Sequence, residues 1–285
     1  GVPGNVADKA LPPLYHSYYE PFWTFCEELD LSLSIHAGWG LEQGLFFKFA
    51  EAMTGGESIE EAAKDGKFIA MGEALKNSRR SPNALGMEPR RAMWQLMFGG
   101  VFDRHPRLKL VMTEIRAEWL PATLNYLDAQ FEHFNGQRPR KKPSQYFAEH
   151  CYITPSSPKV EEIQMRHDIG VSRLMFGSDY PHPEGTWPNT WQWLATIFDG
   201  VPDGEMRQIL GGNAIEAYGL DRAKMMRIAE DIGPTPEEVR ASLASVSPAL
   251  INDFDRRGLF KVPPEVVETH KIDQLLRQDL ASLTN

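Results

Sequence analysis

Four short β-like runs in this chain share one feature: each ends in polar or charged residues. LSLSIHAG (31–38) alternates apolar residues and closes on His36. RLKLVMTE (107–114) closes on Thr113-Glu114, CYITPSS (151–157) is stopped by Pro155, and SRLMFGSD (172–179) closes on Asp179. Helical periodicity fills the gaps. Met93, Leu96, Met97 and Val101 mark residues 89–104; Trp119, Leu120, Leu124, Leu127 and Phe131 mark 118–134. Residues 158–169 open with Pro158 beside Ser156-Ser157, a helix start signal. Strand–helix alternation predicts a parallel sheet with helices outside it. On such sheets chemistry gathers at the C-terminal strand ends, in barrels and in doubly wound folds alike. No glycine-rich GxGxxG turn follows a strand, so the dinucleotide-binding variant lacks its fingerprint.

The connection from the first run to the second is long. Residues 40–106 hold several helical stretches and a Gly/Lys-rich middle, the kind of insertion that covers a site. After residue 186 the pattern is helical throughout, including a short helix around Arg222–Glu230. Another helix starts at Thr235, the expected N-cap, with Pro236 at its first position. These features divide the chain into residues 1–222 and a helical extension, 223–285.

Composition narrows the partners. The net charge of −9 repels nucleic acid and anionic membrane surfaces, leaving a small molecule as the expected substrate. Two cysteines, Cys26 and Cys151, are too few for a disulfide framework. No apolar run approaches the ~18 residues of a membrane span, and no signal peptide is visible, so a cytoplasmic setting is expected. The chain opens Gly1-Val2-Pro3-Gly4, without Met and loop-like; the natural N-terminus is expected upstream.

The rim residues carry the chemistry. Imidazole and carboxylate donors suit Zn²⁺, Mn²⁺ or Fe²⁺, so His36 and Asp179 are candidate ligands of one divalent ion. Asp179 is also placed to take a proton from a metal-activated water. Glu114 is a third rim group, and the fork of donors on Arg116 suits a substrate carboxylate. His182 lies in Pro181-His182-Pro183, where the prolines present the ring for substrate contact or proton transfer. Trp39, Tyr180 and Trp187 are candidate pocket walls. His105 sits at a helix-to-strand junction, at the opposite end of the sheet, and reads as structural.

Several motifs together resemble the amidohydrolase-related family, the branch that contains aminocarboxymuconate-semialdehyde decarboxylase. They are SIHAG (34–38), GVFDRHPRLKLVMTE with AEWLP (100–121), LMFGSDYPHPEG (174–185) and ILGGNAIEAYGL (209–220). The resemblance runs from about residue 11 to about residue 222. It implies a (β/α)₈ barrel of which this chain covers roughly strands five to eight. It also implies that His36 is the fifth-strand metal ligand and Asp179 the eighth-strand aspartate, a ligand or general base. The family's first strand supplies a His-x-His pair; this chain has none, so the remaining ligands are expected upstream of Gly1. The decarboxylases carry a catalytic histidine on the sixth strand, where this chain has Glu114. Hydrolysis of a small carboxylated or aromatic compound by metal-activated water is therefore the first expectation, with Asp179, His182 and Glu114 catalytic and zinc the first metal. Non-oxidative decarboxylation is the second. A third is a non-catalytic half-barrel needing its N-terminal half, because half a barrel leaves sheet edges unpaired. A homodimer is expected from the resemblance.

Overall fold

A computed structural model describes residues 11–37, 83–134, 139–182, 185–257 and 269–284. Among them three strands form one parallel sheet in the order β1 (Leu33–His36), β2 (Leu110–Thr113), β3 (Cys151–Thr154). The register is direct: Leu33, Leu110 and Cys151 share one row, and His36, Thr113 and Thr154 share the last. Parallel strands covered on both faces read as near-continuous apolar runs, as β2 and β3 do. The fourth predicted run extends the sheet beyond β3 without becoming a regular strand. It pairs only at Leu174 with Ile153 and at Gly177 with Ser156. The Met175 amide donates to the Ile153 carbonyl at 2.9 Å, and the Ser157 amide to Gly177 at 2.7 Å. The break at residue 176 has a visible cause. Pro155 has no N–H to donate to the Met175 carbonyl, so one rung is missing between the bonds made at Met175 and Gly177. On the side away from β3 the Phe176 amide donates to the Ile209 carbonyl, and the Asn213 side-chain amide donates to the carbonyls of Val171 and Leu174, both at 2.7 Å.

Side-chain alternation gives the sheet two faces. Leu33, Ile35, Leu110, Met112, Cys151 and Ile153 face the helices and join the main core. Val111, Tyr152, Met175 and Ala217 form a smaller cluster of their own. By strand alternation His36, Thr113 and Thr154 fall on that second face.

The helices differ in detail from the sequence pattern. Residues 89–104 fall in two helices, Asn83–Phe98 and Val101–Arg104, because Gly100 adopts φ 64° between them, a conformation glycine takes without steric cost. Ser156-Ser157 does not cap the next helix. Ser157 is itself left-handed, at φ 44°, and the helix begins at Val160, where the Glu162 carboxylate accepts from the Lys159 amide at 2.9 Å. The Thr235 cap forms as expected: its hydroxyl accepts from the Glu238 amide at 3.2 Å and Glu238 returns the bond at 2.7 Å. The last helix, Thr269–Thr284, brings Ile272, Leu276 and Leu280 into the main core. Its Asp279 is buried between Arg91 and Trp94, accepting from the indole at 2.7 Å. Both cysteines are buried and free. Among the described residues no helix is long and apolar enough to cross a membrane.

Candidate active site

The sheet presents its charged groups at one rim. His36 ends β1, and its Nε2 lies 2.6 Å from Glu114 Oε2. Glu114 follows β2, where its amide still donates to the Thr154 carbonyl at 2.8 Å. It then turns at φ 58°; Asp179, beyond the fourth run, does the same at φ 59°. Left-handed geometry costs a non-glycine residue about 1–2 kcal/mol. Strain of this kind persists only where the surroundings fix it, and it gathers at functional sites. Glu114 and Asp179 both show it, each the last residue of its run.

Electrostatics ties the three together. His36 Nδ1 faces its neighbour's carbonyl, Ala37 O, at 2.8 Å. Both ring nitrogens therefore meet acceptors, and the ring must carry a proton on each. The hydrogen bond to Glu114 chiefly, opposed by burial and aided by the Ala37 carbonyl and the charges of Glu114 and Asp179, pushes the imidazole up to about 9. One proton thus sits between an imidazole nitrogen and a carboxylate, where the donor set is also that of a divalent ion. Asp179 adds a second observation: its Oδ2 is buried and has no hydrogen-bond partner. A carboxylate oxygen hidden from water in that way calls for a cation. Residues and ion fit in kind. Among the described residues, however, no three His, Cys, Asp or Glu side chains converge as a metal cluster.

The loop after Asp179 is tightly closed. The His182 amide donates to Asp179 O at 2.7 Å, Gly185 to His182 O at 2.9 Å and Thr186 to Ser178 O at 2.9 Å. A Cβ on Gly185 would lie 2.8 Å from Asp179 O and 2.9 Å from His182 O, so the loop closes only around glycine. This holds His182 over the acid, with Nδ1 3.4 Å from Asp179 Oδ2. Tyr180 and Trp187 project from the same loop as exposed side chains, packed edge to face with centroids 6.1 Å apart.

Arg116 is engaged elsewhere. Its guanidinium bonds Glu118 and lies 3.3 Å from Glu162. Glu162 is fully buried and also accepts from the Ala117 amide at 2.7 Å. Arg116 therefore braces the turn after β2 against the turn after β3, and a substrate carboxylate would compete with two carboxylates already in place. Trp39 lies outside the described residues, as does most of the 40–106 insertion. His105 is buried between Glu20 at 2.8 Å and Glu27 at 3.3 Å, in the structural setting its position implied. Sequence reading missed Glu162 and Asn213. The first looks like one more helix glutamate. The second lies inside the ILGGNA motif, where the signal was present without a role attached.

A family model described as amidohydrolase matches residues 4–220. The chain belongs to the amidohydrolase family. Among curated amidohydrolase relatives, the gamma-resorcylate decarboxylase of Rhodococcus jostii is 25% identical over 226 residues, covering 76% of this chain and 59% of its own length. That of Polaromonas sp. is 23% identical over 227 residues, covering 75% and 59%. The chain thus spans about three-fifths of these relatives. Among solved structures, dihydroxybenzoic acid decarboxylase from Polaromonas sp., with bound manganese and 2-nitroresorcinol, superposes with a TM-score of 0.52 at 22% identity, over 75% of this chain and 58% of that one. The 5-carboxyvanillate decarboxylase of Sphingomonas paucimobilis gives 0.51 at 23%, over 73% and 55%. At these identities the likeness is one of fold.

Proposed function

We propose that this chain carries the His36–Glu114–Asp179 rim of a metal-dependent, non-oxidative decarboxylase acting on a hydroxylated aromatic carboxylic acid. The observation that carries the reading is the short His36–Glu114 contact beside the buried Asp179 Oδ2, which makes no hydrogen bond and faces His182 Nδ1 at 3.4 Å. Two carboxylates on one rim repel an anionic substrate, so a cation is needed there. The sequence put hydrolysis first; the decarboxylase names of the relatives support the second expectation better. A divalent ion, manganese before zinc given the manganese in a related structure, would be held by His36 and Asp179 with ligands from outside the described residues. When bound, it would polarise the substrate's carboxylate and neighbouring hydroxyl oxygens.

The chain's own residues then do the remaining work. The carbon–carboxylate bond breaks, carbon dioxide leaves, and the ring carbon takes one proton. His182, held over Asp179 by the closed loop, stands at the rim to deliver it. His36 Nε2 would give up the proton it shares with Glu114 to hold the ion, because its Nδ1 already faces the Ala37 carbonyl, and Glu114 would then stand beside the ion rather than behind the ring. Tyr180 and Trp187 would wall the ring of the substrate. We also propose that residues 1–222 are roughly the fifth to eighth strands of a (β/α)₈ barrel, completed by sequence supplying the first four, in a reducing cytoplasmic setting.

Incubating the chain, purified together with the sequence that supplies the first four strands, with manganese and 2,6-dihydroxybenzoate in D₂O tests the reaction. Carbon dioxide should be released, and deuterium should appear on the ring carbon that lost it. Product carrying ¹⁸O from labelled water, without carbon dioxide, would return the reading to hydrolysis. Intact mass and co-purification test the half-barrel: a stable, active protein of 32.3 kDa with no companion polypeptide would overturn it.

A further inference from the structure

β3 is the one run whose end has no part in the proposed reaction, and it lies between β2 and the fourth run, which bring Glu114 and Asp179 to the rim. Its end carries the same backbone mark as theirs. Ser157 turns at φ 44°, as Glu114 does at 58° and Asp179 at 59°, and its amide is fixed by a 2.7 Å bond to Gly177 O. Two hydroxyls precede this turn. Thr154 stands in the row of His36 and Thr113. Ser156, paired with Gly177 across the ladder, is two residues further on and shares that face by strand alternation.

Among the described residues neither Thr154 Oγ1 nor Ser156 Oγ has a hydrogen-bond partner, although both oxygens are buried; Ser156 as a whole is only 5% exposed. Other hydroxyls of the same face are bonded, Ser34 Oγ and Thr113 Oγ1 lying 3.1 Å apart. Buried polar side chains in folded proteins nearly always find a partner. Two that do not, on one face of one strand end, point to a partner that comes from outside the chain.

The chemistry of the rim identifies that partner. Ionised carboxylates only accept hydrogen bonds, and those of Glu114 and Asp179 come from the two neighbours of β3. A further oxygen acceptor brought between them needs donors, and a hydroxyl donates without adding charge. Each O–H turns about single bonds, and serine also has three staggered positions for its oxygen, so the pair can be aimed at a ligand without a backbone shift. Gly177, the ladder neighbour of Ser156, brings no side chain against them. We propose that Thr154 and Ser156 are substrate-binding residues, a hydroxyl pair that donates hydrogen bonds to a phenolic oxygen of the aromatic acid. The inference rests on the proposed decarboxylation for the class of this ligand.

Calorimetric titration with 2-nitroresorcinol tests it, using the manganese-loaded chain purified together with the sequence that supplies the first four strands. The titration reads binding without turnover, because a nitro group stands where a carboxylate would be lost. Ser156→Ala and Thr154→Val should each weaken binding about tenfold, the loss of one hydrogen bond to a ligand oxygen. Thr154→Ser keeps the hydroxyl and should bind as the wild type does. 2-Nitrophenol, with one hydroxyl fewer, should bind wild type and variants alike. In the absence of either compound, the melting temperatures of Ser156→Ala and Thr154→Val should stay level or rise, since the lost oxygens hold nothing together. A fall would make the hydroxyls structural and overturn the proposal. So would a wild type that does not bind 2-nitroresorcinol, or variants that bind it equally well. The reaction fails separately: no carbon dioxide from 2,6-dihydroxybenzoate, with the variants still losing affinity for 2-nitroresorcinol, sinks the decarboxylase and leaves the hydroxyl pair standing.

Discussion

His36 Nε2 and Glu114 Oε2 lie 2.6 Å apart, from adjacent parallel strands, with one proton between them. The pair joins the end of β1 to the residue after β2 and fixes the imidazole ring. Glu114→Gln keeps the shape and removes the charge that holds this proton. Lower metal affinity or turnover, by about 10–100-fold, is the expected result. Titrating manganese into both proteins while following activity separates the two effects. Equal affinity and equal turnover would remove Glu114 from the site.

Chelation should abolish turnover and lower the melting temperature, because an ion that binds only the folded state stabilises it by mass action. Restoring manganese, and in a parallel arm zinc, should recover both readouts. Asp179→Asn should blunt the thermal shift; a variant that responds to metal like the wild type would take Asp179 out of the ligand set.

The clasp on the last helix should matter more to stability than to chemistry. Asp279 is buried and accepts from Arg91 and from Trp94 Nε1. Asp279→Ala strands the guanidinium and the indole, and breaking a buried pair costs about 3–5 kcal/mol. Thermal or urea unfolding measures the loss, and a cost under about 1 kcal/mol would mean that the clasp is replaceable by water.

His150 gives the stability a pH dependence. It stacks on Phe102 with centroids 4.6 Å apart and faces Leu108 O at 3.1 Å. Burial pushes its pKa below 6.5, against smaller opposing effects of the Leu108 carbonyl and Glu149. The unfolded chain therefore binds the proton more readily than the folded one. The stability from the neutral ring is full above about 6.5 and is lost as pH falls toward the lower folded value. His150→Phe keeps the stack and removes the titration. Melting temperatures from pH 7.5 to 5 should fall less steeply in that variant, and parallel slopes would clear His150.

Much of this was legible in the sequence. The strand–helix alternation placed β1, β2 and β3, and polar run ends picked out His36, Glu114 and Asp179, because strand periodicity and rim chemistry are local signals. Thr235 and Pro236 behaved likewise. The fourth run was partly legible: Pro155, read as the stop of the CYITPSS run, is also the missing donor that breaks the pairing, whereas the Ile209 and Asn213 contacts on the far side come from more than thirty positions away. Arg116 shows the limit of local reading: the sequence offers its guanidinium to an anion, and only the fold shows Glu118 and the buried Glu162 of the Val160–Gln164 helix beside it. The family was legible from motifs. The reaction was not, since the same imidazole and carboxylates serve water or carbon dioxide chemistry alike.

The left-handed turns at Glu114 and Asp179 set two demands on the protein at odds. A selection for heat resistance alone would favour glycine at both positions, since glycine takes that backbone geometry freely. It would thereby erase the two carboxylates of the rim. Asparagine is the compromise open to such a selection at residue 114, tolerant of the turn but uncharged, whereas Asp179 already belongs to the tolerant pair. Libraries screened for thermostability without a counter-screen for turnover should therefore drift toward Gly or Asn at residue 114 and toward Gly at residue 179, and the drift itself would report that the strain is kept for function.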